Sequence, residues 1–89
     1  VLDDGACVAL LEKGGSILPV GIRSIRGNFE RGDLVEVLNK KFAKIATGFS
    51  NYSSKECEQI IGKASSEIEN RLGFSREPEV IHRDNLVLT

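Results

Sequence analysis

Apolar residues near the start of the chain recur at the spacing of an α-helix. They form one stripe on a helical surface: Ala6, Cys7, Ala9, Leu10 and Leu11. Asp3 and Asp4 precede the stripe and supply an N-cap and negative charge for a first turn. Gly14 and Gly15 follow it, and glycine readily adopts the left-handed conformation that ends a helix. The pattern therefore predicts a helix that stops after Lys13.

Apolar and β-branched residues dominate residues 16–26, where Pro19 and Gly21 interrupt them. This composition predicts a bent or bulged strand. Two further apolar runs, at residues 34–38 and 43–49, are joined by a short polar and cationic segment. They predict an antiparallel hairpin.

Two capping boxes predict short helices in the second half of the chain. Each places a Glu three positions after a Ser: Ser53 with Glu56, and Ser66 with Glu69. Gly62 and Gly73 are the predicted ends of these helices. Residues 74–79 are predicted to form a polar loop.

The remaining apolar pieces predict the closure of the fold. Residues 1–2 are predicted to be the end of a strand. Residues 80–81 and 86–88 are predicted to be short strands that return to the sheet. The fold class that follows is α+β, mainly β with short helices: a small mixed barrel whose open ends are covered by helices. We expect residues 1–89 to form a single domain.

Length and composition narrow the function classes. A chain of 89 residues has room for one small domain, and its 40% hydrophobic and 28% charged residues are ordinary for a globular protein. No apolar run approaches the roughly 20 residues needed to span a membrane, so no membrane partner is expected. The chain has no Met and begins abruptly with Val1, so we expect it to be part of a longer polypeptide.

The charge distribution leaves room for a weak nucleic-acid contact. A net charge of −1 argues against a strong general nucleic-acid binder, because such binding depends on Lys and Arg that neutralise phosphates. Residues 20–45, however, carry six cations against three anions. This asymmetry permits a weak basic face.

The metal-binding and redox chemistry of the chain is limited. Cys7 and Cys57 stand far apart, and His82 is the only histidine, so a tetrahedral metal site has too few ligands. One disulfide is conceivable, but small secreted folds usually contain several. Free thiols in a cytoplasmic protein are the preferred interpretation.

His82, Arg83 and Asp84 spell the catalytic triplet of protein kinases. In such a loop an Asn five residues after the Asp holds the second Mg²⁺, and here Thr89 stands in that place. The Gly-rich loop and the Asp-Phe-Gly motif of kinases are also missing from the sequence. The triplet is therefore expected to end a loop and fix its geometry rather than to perform catalysis.

Residues 27–32 carry the two glycines of a P-loop at the right separation. Asp33 and Leu34 occupy the positions at which that motif needs Lys and Ser or Thr. The phosphates would therefore lack a cation, and Mg²⁺ would lack a hydroxyl ligand. We expect Gly32 instead to form a tight turn and Asp33 to accept hydrogen bonds from its amides.

Six segments, in this order and spacing, resemble the C-terminal PUA domain of bacterial glutamate 5-kinases: "VLDDGACVAL", "GGSILPVGI", "GNFERGDLVEV", "IATGFSNYSS", "IIGKASSEI" and "VIHRDNLVL". The resemblance implies a pseudo-barrel of about five to six short strands. His82, Arg83 and Asp84 belong to its signature, with no role assigned.

The resemblance also implies what the domain contacts. PUA relatives bind structured RNA through the first helix, the glycine turn after it and adjoining strands. Together with the basic middle segment, this makes five residues candidate RNA contacts: Lys13, Gly14, Gly15, Arg23 and Arg26. The other expected partner is the parent's own kinase domain or a neighbouring subunit.

In the parent enzyme, the resemblance implies ATP- and Mg²⁺-dependent phosphorylation of the L-glutamate side-chain carboxylate, with feedback by proline. The catalytic and cofactor-binding residues of that enzyme reside in a separate amino acid kinase domain. No catalytic residue, cofactor or metal is therefore expected in residues 1–89, and two roles stay open. The chain is either an accessory domain or an RNA-binding module.

Overall fold

The computed structural model describes residues 1–74 and 77–89. The helices are α1 (Asp4–Lys13), α2 (Ser54–Ile60) and α3 (Ile68–Leu72). The strands are β1 (Leu34–Leu38), β2 (Lys44–Phe49) and β3 (Leu86–Leu88). Short 3-10 turns occupy Pro19–Gly21, Ser65–Glu67 and Arg83–Asn85.

Helix α1 begins and ends as predicted. The Asp3 carboxylate accepts a hydrogen bond from the Ala6 N–H at 2.7 Å, and Gly14 ends the helix with φ of +62°. Leu10 faces the core, whereas Leu11 is 50% exposed. Leu11 therefore lies outside the buried part of the apolar stripe, because it is one position past the face that Leu10 presents to the core.

The bent or bulged strand predicted at residues 16–26 does not form. Ile17 and Ile22 each make a single β-bridge, with Ile81 and Leu2 respectively, and a 3-10 turn separates them. Pro19 begins that turn; its fixed φ and missing N–H suit the start of a helical turn and interrupt a ladder of strand hydrogen bonds.

The predicted hairpin is confirmed. Strands β1 and β2 pair antiparallel, and β3 pairs antiparallel with the other edge of β2, giving the order β1-β2-β3. The Asn39 side-chain oxygen accepts hydrogen bonds from the Lys41 and Ala43 N–H groups at 2.9 and 3.0 Å. Asn39 thus closes the hairpin turn, a role that short polar side chains commonly take.

Only the first capping box forms. The Ser53 hydroxyl accepts from the Glu56 N–H, and the Glu56 carboxylate accepts from the Ser53 N–H at 2.8 Å. The second box is wrong, because a 3-10 turn over Ser65–Glu67 precedes α3 and places Ser66 inside the turn instead of before the helix. Gly73 ends α3 as predicted, and the polar loop predicted at residues 74–79 lies partly outside the described residues.

The core lies between the inner face of the sheet and the helices. Its buried members are Leu2, Leu10, Ile17, Ile22, Val37, Ala46, Tyr52, Cys57, Ile60, Ile68, Val80 and Ile81. Burial raises the pKa of the Cys57 thiol to about 11, and Cys57 and Cys7 are both free. Within the described residues no helix has the length and apolar character needed to cross a membrane.

The α+β class is confirmed, with a difference in detail. The five to six expected strands appear as three strands and two isolated bridges, so residues 2, 17, 22 and 81 each contribute one paired position. Short segments interrupted by Pro and 3-10 turns are long enough to close the fold around the core but too short to form regular ladders.

Gly48 marks the closest approach within the fold. A Cβ at this position would lie 2.8 Å from the Asn85 carbonyl oxygen and 2.8 Å from the Ile81 side chain. We expect Gly48→Ala to lower the free energy of unfolding by about 1 to 3 kcal/mol, since the backbone of residue 85 cannot move away cheaply. Urea unfolding measures this.

The matched control is Gly5→Ala in the first turn of α1, where an added Cβ makes only ordinary contact. Ala has the higher helix propensity, so this variant should unfold at equal or higher urea concentration. Equal stability of the two variants would contradict the crowding at Gly48.

Candidate functional site

The His82-Arg83-Asp84 triplet forms a structural turn between the Ile17–Ile81 bridge and β3. The His82 Nδ1 atom accepts a hydrogen bond from the Asp84 N–H at 3.0 Å, which caps the 3-10 turn. The Arg83 N–H donates to the Ser16 hydroxyl at 2.8 Å. The triplet therefore ties the end of the chain to the segment that follows α1.

The His82 ring contacts Asp84 through one of its nitrogens. Nδ1 is the hydrogen-bond acceptor for the Asp84 N–H inside the turn. The Asp84 carboxylate lies 3.5 Å from Nδ1, and this approach is an ion pair only when the ring is protonated. The arrangement orders a turn at the start of β3.

The five candidate RNA contacts fall into two groups. Lys13, Gly14 and Gly15 lie at the C-terminal end of α1. Arg23 lies beside the opposite end, where its N–H donates to the Val1 carbonyl at 2.8 Å. A ten-residue helix is about 15 Å long, so the structure does not bring the two groups together.

Arg26 belongs to a cationic surface that the sequence analysis only partly identified. Its guanidinium lies 4.7 Å from the centre of the Phe42 ring, a cation–π contact. Phe42 sits in the β1–β2 turn with φ of +64° and is 56% exposed. We call Arg26, Lys40, Lys41 and Phe42 the basic turn.

The charges of the basic turn are partly neutralised. Lys40 pairs with Asp4 at 3.0 Å, while Lys41 and Arg26 are exposed.

Phe42 has a left-handed backbone conformation, which is uncommon for a residue other than glycine. Residues with this conformation cluster at functional sites. Phe42 was missed because its conformation and its partner Arg26, distant in sequence, leave no local signal.

The outer face of the sheet carries three exposed apolar side chains. Leu34 and Phe49 are direct cross-strand partners with exposed fractions of 62% and 51%, and Val87 is 71% exposed. Val87 pairs with Thr47 and is therefore a diagonal neighbour of Phe49. The solvated face of an antiparallel sheet is usually polar, so these residues, here called the sheet patch, are unusual.

The P-loop-like segment has an internal role. Gly32 turns with φ of +84°, and the Asp33 carboxylate accepts the Glu30 N–H at 2.8 Å, as predicted. Arg31 forms a two-pronged ion pair with Glu56. That pairing, together with the Ser53 amide, lowers the pKa of the Glu56 carboxyl to about 2.

Among the described residues, no group of three Cys, His, Asp or Glu side chains is placed to hold a metal ion.

A groove of about 590 Å³ is lined by β1 and by residues 24–29. Val1, Leu2 and core side chains such as Ile17 and Cys57 also line it. We call this feature the edge groove. It was not foreseen, because it depends on how residues 24–29 are held away from β1.

Comparisons with known proteins agree with the fold. The family model described as the PUA domain matches residues 1–72. A crystal structure of a PUA domain from Aeropyrum pernix K1 superimposes with a TM-score of 0.64, at 24% identity, over 91% of this chain and 39% of that one. This likeness concerns the fold alone.

Sequence relatives share far more residues. The glutamate 5-kinase of Pseudomonas entomophila is 51% identical over 99% of this chain, and that of Nitrosospira multiformis is 53% identical over 98%. The chain covers 24% and 23% of those two proteins. It thus spans about a quarter of the relatives it matches, and the resemblance drawn from the six sequence segments is confirmed.

We expect His82→Ala to destabilise the fold by about 1 kcal/mol, because the Asp84 N–H at the start of the turn loses its acceptor. His82→Asn should retain most of the stability, since Asn is a good capping residue. Urea unfolding compares the two variants. Equal losses in both would show that the imidazole contributes packing rather than the cap.

Proposed function

We propose that this chain, which belongs to the PUA domain family, is the non-catalytic accessory domain of a glutamate 5-kinase. The observation that carries the proposal is the identity of about one half with glutamate 5-kinases over almost the whole chain. Residues 1–89 form one domain of the longer protein in this proposal. The remaining three quarters contain the ATP and Mg²⁺ sites and phosphorylate the glutamate side-chain carboxylate in the cytoplasm.

The accessory role is exerted through packing. The sheet patch of Leu34, Phe49 and Val87 is the surface best suited to it, because exposed apolar patches commonly mark interaction sites. Its occupant in this proposal is the kinase part of the same protein, within its own chain or a neighbouring subunit. Support comes from the length of the relatives, of which about three quarters lie outside the matched region.

The full-length enzyme tests this role. We expect the double variant Leu34→Ser and Phe49→Ser to lower its melting temperature and to alter its oligomeric state or its proline sensitivity, since the docking contact loses apolar area. Val20→Ser is the matched control, because Val20 is also exposed but lies in the 3-10 turn, away from the sheet.

The proposal fails if deletion of residues 1–89 leaves stability, oligomeric state and proline sensitivity unchanged. If deletion changes these properties while the double variant behaves like Val20→Ser, the accessory role stands and the sheet patch is not its surface. Calorimetry, light scattering and a glutamate phosphorylation assay provide the three measurements.

RNA binding is the second candidate function, and the basic turn favours it. An arginine stacked on an exposed aromatic ring beside the exposed Lys41 offers both phosphate neutralisation and a stacking surface. Asp4 and Glu36, which pair with Lys40 and Lys44, reduce the net positive charge there. The binding expected from this surface is weak and sensitive to salt.

Titration with structured RNA stems at low and physiological salt tests this function. We expect the double variant Arg26→Glu and Lys41→Glu to weaken binding at low salt. The slope of the logarithm of the binding constant against the logarithm of the salt concentration should become smaller by about 1 for each phosphate contact removed. Lys13→Glu at the far end of α1 distinguishes the two groups of candidates. If Lys13→Glu weakens binding and the basic-turn variant does not, the contact lies at Gly14 and Gly15; absence of saturable binding to the unaltered protein rejects RNA binding.

A further inference from the structure

Phe42 holds an unfavourable backbone conformation at the tip of the β1–β2 hairpin. Its φ is +64°, in the left-handed region where a Cβ crowds the following carbonyl oxygen. Glycine and asparagine usually occupy such turn positions, because they reach this region at little cost. Among the described residues, every other positive φ belongs to a glycine. The presence of phenylalanine at this position therefore calls for a cause outside its own backbone.

Hydrogen bonds of the turn hold Phe42 in this conformation without its side chain. The Phe42 N–H donates to the Asn39 carbonyl at 2.9 Å, and the Asn39 N–H donates to the Ala43 carbonyl at 3.0 Å. The Asn39 side-chain oxygen adds its bonds from the Lys41 and Ala43 N–H groups. A glycine at position 42 would allow the same bonds with less strain. The aromatic ring is therefore not needed to build the hairpin.

The Phe42 ring lies at the surface and faces a cation. It is 56% exposed, and it belongs neither to the buried core nor to the apolar residues packed against that core. The Arg26 guanidinium lies over the ring, 4.7 Å from its centre. Burial in the fold thus offers little compensation for the strain of the turn. Strained residues of this kind cluster at sites where a protein holds a ligand.

The charge around the ring favours a ligand that carries phosphates. Within the described part of the chain, Arg26 and Lys41 take part in no ion pair, whereas Lys40 pairs with Asp4 at 3.0 Å. Both unpaired cations are exposed. A short stretch of RNA carries flat bases and one negative charge per phosphate, so it matches an aromatic ring beside two cations. An acidic peptide would match the cations but leave the ring without a stacking partner.

We propose that Phe42 stacks on an unpaired RNA base while Arg26 and Lys41 contact the phosphates beside it. Each base in a duplex is already stacked on its neighbours, so the ligand is a loop, a bulge or a single-stranded end. The inference rests on the RNA-binding candidate of the proposed function. It deepens that function, because it names the part of the RNA that is bound and the residue that selects it.

Fluorescence anisotropy with the full-length enzyme and two RNAs tests the proposal. One RNA is a stem closed by an adenine-rich loop, and the other is a blunt duplex with the same stem sequence. We expect the unaltered enzyme to bind the loop RNA more tightly. Phe42→Gly should weaken this binding roughly tenfold, in line with the loss of one stacked base, and leave duplex binding unchanged. Its salt dependence should stay the same, because no charge is removed.

Three further variants separate the ring from the backbone and from the charge. Phe42→Asn also suits the left-handed region and lacks an aromatic ring, so it should behave like Phe42→Gly. Phe42→Trp keeps a stacking surface and should retain most of the affinity for the loop RNA. Lys41→Gln should weaken the binding of both RNAs and lower the salt slope by about 1.

Hydrogen exchange shows whether the domain stays folded in these variants. The amides of β1 and β2 should exchange as slowly in full-length Phe42→Gly as in the unaltered enzyme, since glycine relieves the strain of the turn. Faster exchange would mean that the ring supports the fold, and this result overturns the proposal.

The binding results separate the two levels of the inference. If the unaltered enzyme binds both RNAs equally, or if Phe42→Gly keeps its affinity for the loop RNA, RNA binding stands and stacking on Phe42 is overturned. Equal losses in Phe42→Trp and Phe42→Gly also overturn the stacking contact. Absence of saturable binding to either RNA rejects RNA binding itself, and the proposal with it.

Discussion

The fold depends on the pairing of β2 with strands on both of its edges. Strand β1 precedes it through a five-residue turn, whereas β3 comes from the end of the chain. This second pairing requires the chain to pass close to Gly48, where the Asn85 carbonyl and the Ile81 side chain leave no room for a Cβ. The absence of one side chain thus allows the end of the chain to close over the core.

The central position of β2 determines which surfaces remain for function. With β2 paired on both sides and helices covering one face, the sheet leaves its outer face and the outer edges of β1 and β3. The outer face carries Leu34, Phe49 and Val87, and β1 lines the groove. The His82 turn, although it resembles a kinase motif, is used to hold β3 against Ser16.

The sequence correctly predicted those helix ends that depend on a capping residue close by in the chain. Asp3, Ser53 and Gly14 act within a few residues of themselves, and each was predicted correctly. Residues 16–26 and Ser66 were misinterpreted because neighbours in space, rather than in sequence, decide whether an apolar run forms a ladder and where a helical turn begins. The contact between Phe42 and Arg26 in the basic turn and the edge groove were missed for the same reason. Phe42 meets Arg26, and β1 faces residues 24–29, only after the chain has folded.

Strand β1 belongs both to the outer face of the sheet and to the edge groove. Its main-chain groups at Leu34 and Glu36 face the edge groove, while the Leu34 side chain stands on the sheet patch beside Phe49. The ladder hydrogen bonds to β2 hold β1 as one unit, so a contact with its backbone in the groove also acts on the position of Leu34. The two surfaces are therefore coupled through the same five residues.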